Sequence, residues 1–114
     1  TASDVAKLLK ESLPDKDYYK IFTMPTYVST KTERHPDGIK LSNDVISAFN
    51  KHKIKSFKVL GGKFGYTREA GKSIAVLAEK NGKKYIVITL GCYNKGGNHG
   101  HMDDVLTAMK KISG

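Results

Sequence analysis

The residues best suited to chemistry lie in "VLGGKFGYTREAG", positions 59–71, which holds four glycines around Lys63 and Phe64. Glycines inside a strand mark a bulge or a place where a ligand or another backbone comes close. A Lys-x-Gly unit on an edge strand beside a cleft could set an ammonium against a ligand carboxylate. A bulge next to an ordinary strand lysine explains the same letters. The spacing is neither G-x-G-x-x-G nor G-x-x-x-x-G-K-[ST], so nothing here supports a nucleotide phosphate loop.

The other reactive side chains are less well placed. In "NHGHMDD", His99, His101 and Asp103 are suitable metal ligands. They fall where a loop enters a helix, however, and there Asp103 and Asp104 also serve as first-turn residues. No H-E-x-x-H motif accompanies them, and neither a metal nor a cofactor is expected. Cys92 is the single cysteine, which excludes an internal disulfide and a thiolate zinc cluster. At the end of an apolar strand it reads as a small buried hydrophobe. No serine is followed by lysine three residues on, and G-x-S-x-G is absent.

Several elements must position these groups, and 114 residues suffice for one small domain. The apolar fraction of 39% supplies a single core, and 27% charged residues with few Pro and Gly clusters argue against wholesale disorder. No apolar run approaches the roughly 20 residues that span a bilayer. The chain opens on Thr1 without a cationic, apolar leader, and reads as a processed product or a piece of a longer protein. Its formal charge of +9 favours polyanionic surroundings. The lysines are scattered, and only 51–58 form a dense K-x-K-x-K-x-x-K group. No helix-turn-helix signal, zinc finger or RNA-binding aromatic motif goes with them, so specific nucleic-acid binding is not expected.

"TASDVAKLLKESLP" reads as a helix capped by Thr1 or Ser3 and stopped at Pro14. "YYKIFTMPTYVST" is aromatic and β-branched, and reads as extended chain interrupted by Pro25. "KTERHPDGIK" is a polar loop with a turn. "LSNDVISAFNKH" is a short helix capped by Ser42 or Asn43, with Val45, Ile46 and Phe49 on one face. "SFKVLGGKFGYT", "AGKSIAVLAEK" and "KKYIVITLGCY" read as three antiparallel strands, the last two joined by Asn81-Gly82, a strong hairpin signal. Both faces of Tyr85–Leu90 are apolar, which suggests a central strand. "NKGGNHGH" reads as a flexible loop. "MDDVLTAMKKI" closes the chain as a helix with Met102, Val105, Leu106, Met109 and Ile112 inward. The expected fold class is α+β, an antiparallel sheet with flanking helices, in one unit.

Taken as a whole, "KVLGGKFGYTREAGKSIAVLAEKNGKKYIVITLG" resembles the serine D-alanyl-D-alanine carboxypeptidases, the low-molecular-mass penicillin-binding proteins, in their Gram-positive form. That family carries a "GGKTGYT…AG" strand followed by a long hairpin ending near "VTLG". "TASDVAKL", "IFTMPTYVST…HPDGIKLSND" and "H…DDVLTAMKKI" resemble flanking family segments in the same order, so the likeness runs from about residue 1 to residue 112. It implies the C-terminal portion of the β-lactamase/D,D-peptidase fold, with residues 1–114 forming a single partial domain. The family attacks a D-Ala-D-Ala peptide with a serine from a Ser-x-x-Lys motif, aided by Ser-x-Asn and Lys-Thr-Gly. β-Lactams trap that serine.

Only the third motif is matched, as Lys63-Phe64-Gly65. The resemblance implies that Lys63 attracts the substrate carboxylate and tunes proton transfer, and that the Tyr66 backbone N–H is an oxyanion-hole donor. Phe64, Gly65 and Thr67 would lie along the bound substrate. Phe64 stands where the family has threonine. Losing one hydrogen bond to a charged group costs about 1.5–3 kcal/mol, or roughly 10- to 150-fold in rate if felt in the transition state. The Ser-x-x-Lys, Ser-x-Asn and Tyr-x-Asn motifs are absent. The expectation is therefore part of a D,D-carboxypeptidase, inactive alone, acting outside the membrane on peptidoglycan stem peptides. The alternative is a non-catalytic module binding peptidoglycan or an anionic wall polymer. Either would be partnered by the rest of the domain or by a second copy.

Overall fold

The computed structural model describes residues 1–52, 54–92 and 100–112. Thr1 caps the first helix, α1 (Ala2–Ser12), through a capping box: its side chain accepts from the Asp4 amide and Asp4 answers the cap. Leu9 is buried, and α1 packs on the last strand of the main sheet.

The segment read as extended from Tyr18 begins instead as a helix, α2 (Lys16–Phe22). Asp15 is the reason, since its carboxylate accepts from the amides of Asp17 and Tyr18 and so starts a helix just after Pro14. The Tyr18 and Phe22 rings, four residues apart, stack at 6.0 Å. Aromatic residues that favour strands thus become one face of a helix. Extended chain is confined to β1 (Thr26–Val28), which pairs with β2 (Lys40–Ser42), a strand inside a region read as loop and helix start. Asn43, rather than Ser42, caps α3 (Asp44–Lys51), and Val45, Ile46 and Phe49 are buried as their spacing predicts.

The main sheet has the order β3-β4-β5, from β3 (Lys58–Thr67), β4 (Gly71–Lys80) and β5 (Lys83–Cys92). Asn81 and Gly82 both have positive φ, 54° and 79°, as a two-residue primed turn requires. The central strand is β4. The reading of Tyr85–Leu90 as central fails because its two-faced apolarity reports helical cover: α1 and α4 (Gly100–Lys110) both pack on β5, which among the described residues pairs only with β4. One face of β4, Ile74, Val76 and Ala78, joins Val45, Phe49, Val105 and Met109 in the core, and Leu77 on the opposite face is buried too. Of the closing helix's stripe, Met102, Val105 and Met109 are buried while Leu106 and Ile112 are partly so.

Two further contacts fix the frame. Lys80 Nζ donates to the carbonyls of Met109 and Ile112 at 2.9 and 2.8 Å, closing the C-terminal end of α4. The glycine pair lets two helices pinch β3. A Cβ on Gly61 would run into the Phe22 carbonyl at the end of α2, and one on Gly62 would lie 2.6 Å from Val45 Cγ1 and 2.7 Å from the Ala75 oxygen.

Candidate functional site

β3 carries a bulge between Val59 and Gly61 and then runs in regular register with β4 from Gly61 to Thr67. The glycine-rich stretch is thus bulged, as one reading expects, and it also lies at an edge, since among the described residues β3 pairs only with β4. The direction of its peptide groups follows from side-chain bonds. Asn43 Nδ2, on α3, donates to the Gly62 carbonyl at 3.3 Å, and Lys63 Nζ donates to the Phe64 carbonyl at 2.9 Å. Ser73 Oγ, on β4, donates to the Gly65 carbonyl at 3.1 Å. In an antiparallel strand a residue's N–H and C=O point to the same side, and the side alternates. Gly62, Phe64 and Tyr66 thus turn their peptide groups to the free edge, while Lys63, Gly65 and Thr67 turn theirs to β4.

The residues singled out from sequence lie along this edge. Lys63, Gly65, Tyr66 and Thr67 are exposed and Phe64 is half-buried. The Phe64 ring packs 4.9 Å from that of His101, which is buried in α4, so the side chain is part of the wall beneath the edge. Thr67 Oγ1 accepts from the Ala70 amide and shapes the β3–β4 turn. A Cβ on Gly65 would meet only Ser73 Oγ, 2.8 Å away and at the end of a rotatable side chain. Gly61 and Gly62 are thus demanded by packing and Gly65 is not.

A groove of about 520 Å³ runs beside the edge, between β3 and the β1–β2 ribbon. Phe64, Val45, Met24 and Ile21 line it, with Tyr27 and Leu41, which face each other across the ribbon. Asn43 is the residue that sequence reasoning saw only as a cap. Besides accepting from the Ile46 amide, it donates to the Phe22 and Gly62 carbonyls and so ties α2, α3 and β3 together at the groove's end. An asparagine cap is legible in sequence, whereas its two distant partners are not.

Of the remaining candidates, Cys92 is a free, half-buried thiol at the end of β5. Among the described residues no three His, Cys, Asp or Glu side chains gather to hold a metal. His99 and most of the "NKGGNHGH" loop lie outside the described residues. Also among these, no helix is long and apolar enough to cross a membrane.

No family model and no curated protein matches the chain. Two solved structures from Mycobacterium tuberculosis resemble it in three dimensions. One is a D-alanyl-D-alanine carboxypeptidase, with TM-score 0.70 at 18% identity over 96% of this chain and 39% of that one. The other is a penicillin-binding protein homologue, with TM-score 0.71 at 18% identity over 96% and 40%. The chain spans about two fifths of the length of these proteins. At that identity the likeness is one of architecture: the chain has the α+β fold of a large part of these two proteins, an antiparallel sheet flanked by helices.

Proposed function

We propose that residues 1–114 form the C-terminal portion of a penicillin-binding-type D,D-carboxypeptidase domain and supply its substrate-binding strand. The observation that carries this reading is the free edge of β3, which turns the peptide groups of Phe64 and Tyr66 outward beside the Lys63 ammonium. An extended peptide can add to such an edge. Lys63 would draw its terminal carboxylate, the Tyr66 N–H would donate to the developing oxyanion, and Gly65, exposed and free of packing demands, would let the substrate backbone approach. The nucleophile would come from the rest of the domain. The substrate class is the peptidoglycan stem peptide, with β-lactams as its mimics, which sets the parent protein outside the cytoplasmic membrane.

The chain by itself is then inactive. A fluorescent penicillin should give no covalent labelling, and an N-acyl-D-Ala-D-Ala peptide should bind without turnover. Its C-terminal amide should bind about 10-fold or more weakly, because a charge-assisted hydrogen bond is lost. Stoichiometric labelling would overturn the assignment.

One observation favours a second reading. Phe64 has no hydroxyl to give a carboxylate, and its ring is packed against His101. A module that binds wall peptide or an anionic wall polymer without cleaving it tolerates that. The parent reading frame decides: Ser-x-x-Lys upstream supports the enzyme, an unrelated upstream domain the module.

A further inference from the structure

We infer that the groove between β3 and the β1–β2 ribbon holds one bulky apolar side chain of the extended, carboxylate-ended peptide that adds to the β3 edge. This goes beyond the reading above, whose D-Ala-D-Ala end offers only methyl side chains, and relies on it for the backbone and carboxylate contacts.

The groove's volume, about 520 Å³, lies in the range of ligand pockets and exceeds a single large side chain. Its mouth is apolar yet open to water, with Ile21, Tyr27 and Leu41 at 71, 52 and 55% exposure. Besides Lys63, its polar lining is Thr26 and Ser42, which pair on the ribbon, with Asn43 and Asp44 following in the chain. Lys63 and Phe64 together define how a ligand would sit, because both line the groove and both belong to the edge. Phe64 turns its side chain into the groove wall and its peptide group to the edge. In a pleated ladder the residue of an added strand facing Phe64 projects its side chain to the same face. That side chain enters the groove.

The approach also explains the position of the Lys63 ammonium. It caps the Phe64 carbonyl at 2.9 Å. An edge lysine of this kind guards an unpaired strand. A peptide N–H arriving on the Phe64 carbonyl displaces it, and the ammonium is released to the ligand's carboxylate. Phenylalanine in place of a hydroxyl residue thus exchanges a hydrogen bond to the carboxylate for an apolar wall under the neighbouring side chain.

The test is a panel of N-acetyl tetrapeptides of glycine with a free carboxylate, each with a single phenylalanine at a different position, titrated calorimetrically into the 114-residue chain. One position should bind about 10- to 100-fold more tightly than the all-glycine peptide, as expected for burying one large apolar side chain. The exposed-site double variant Tyr27→Ser, Leu41→Ser should keep its melting temperature and its affinity for the all-glycine peptide, and lose the gain. Binding of every peptide with no phenylalanine preference overturns the groove assignment and leaves the carboxylate-binding strand standing. A preference that survives C-terminal amidation unchanged supports the groove and overturns the carboxylate role of Lys63. A double variant that retains the gain overturns the proposal. So does a dimer that the double variant dissociates, since a second copy would then be the occupant.

Discussion

At the scale of single residues, the glycines of β3 separate by what their missing side chains avoid. Gly61 and Gly62 stand under a backbone carbonyl and a buried valine, with no direction in which the neighbour can yield. Gly62→Ala should therefore destabilise the chain by about 1–3 kcal/mol, the range for overpacking, seen as a lower denaturation midpoint at unchanged slope. Gly65→Ala should leave the midpoint within about 0.5 kcal/mol, because Ser73 Oγ can rotate away, and yet weaken peptide binding to the edge. Equal destabilisation by the two would erase the distinction. Only part of this was legible in the letters. Composition and strand pattern identify a glycine-rich strand, but which glycine faces a helix depends on α2 and α3 arriving from distant sequence. The role of Phe64 depends likewise on α4, whose His101 is 37 residues away in the chain.

At the scale of elements, local signals served where the chain is governed locally. The Asn81-Gly82 hairpin, the α3 cap and the stripe of α4 follow from neighbouring residues. The structure departs from the local pattern where local preference meets a competing local or tertiary effect. At α2 the Asp15 cap outweighs the strand preference of Tyr18, Tyr19, Ile21 and Phe22. At β5 a two-faced apolar pattern speaks of what lies above and below a strand and is silent on what lies beside it. The joints between elements give two measurable expectations. Lys80→Met keeps the aliphatic stem but removes the ammonium that the Met109 and Ile112 carbonyls share; loss of charged hydrogen bonds predicts about 1.5–3 kcal/mol, with faster hydrogen exchange in the last turn of α4. Asn43→Ala removes the α3 cap and two bridging bonds. A cap alone is worth about 1 kcal/mol, so a larger loss, together with altered amide shifts in β3, would show that Asn43 holds the groove's end.

At the scale of the whole molecule, the outer edge of β5, which pairs with no strand among the described residues, raises a different question from the β3 edge. The β3 edge is guarded by Lys63 and Asn43. Leu90 near the end of β5 is 50% exposed and Leu8 of α1, the helix that packs on β5, is 62% exposed. An exposed strand with apolar neighbours pairs with whatever strand is available. In the parent protein proposed above that would be a strand from elsewhere in the domain; for the 114-residue chain the expected partner is a second copy. Light scattering should therefore give about twice the 12.6 kDa of the chain. Leu90→Lys should return it to a monomer by placing charge at the edge, while Tyr27→Ser, Leu41→Ser, on the groove, should not. Backbone amides on alternate residues of β5 should exchange more slowly in the dimer than in the Leu90→Lys monomer, since a paired edge protects every second N–H. A monodisperse monomer of the unaltered chain, with those amides already protected, would mean that residues of this same chain cover β5, and the case for strand sharing would fall.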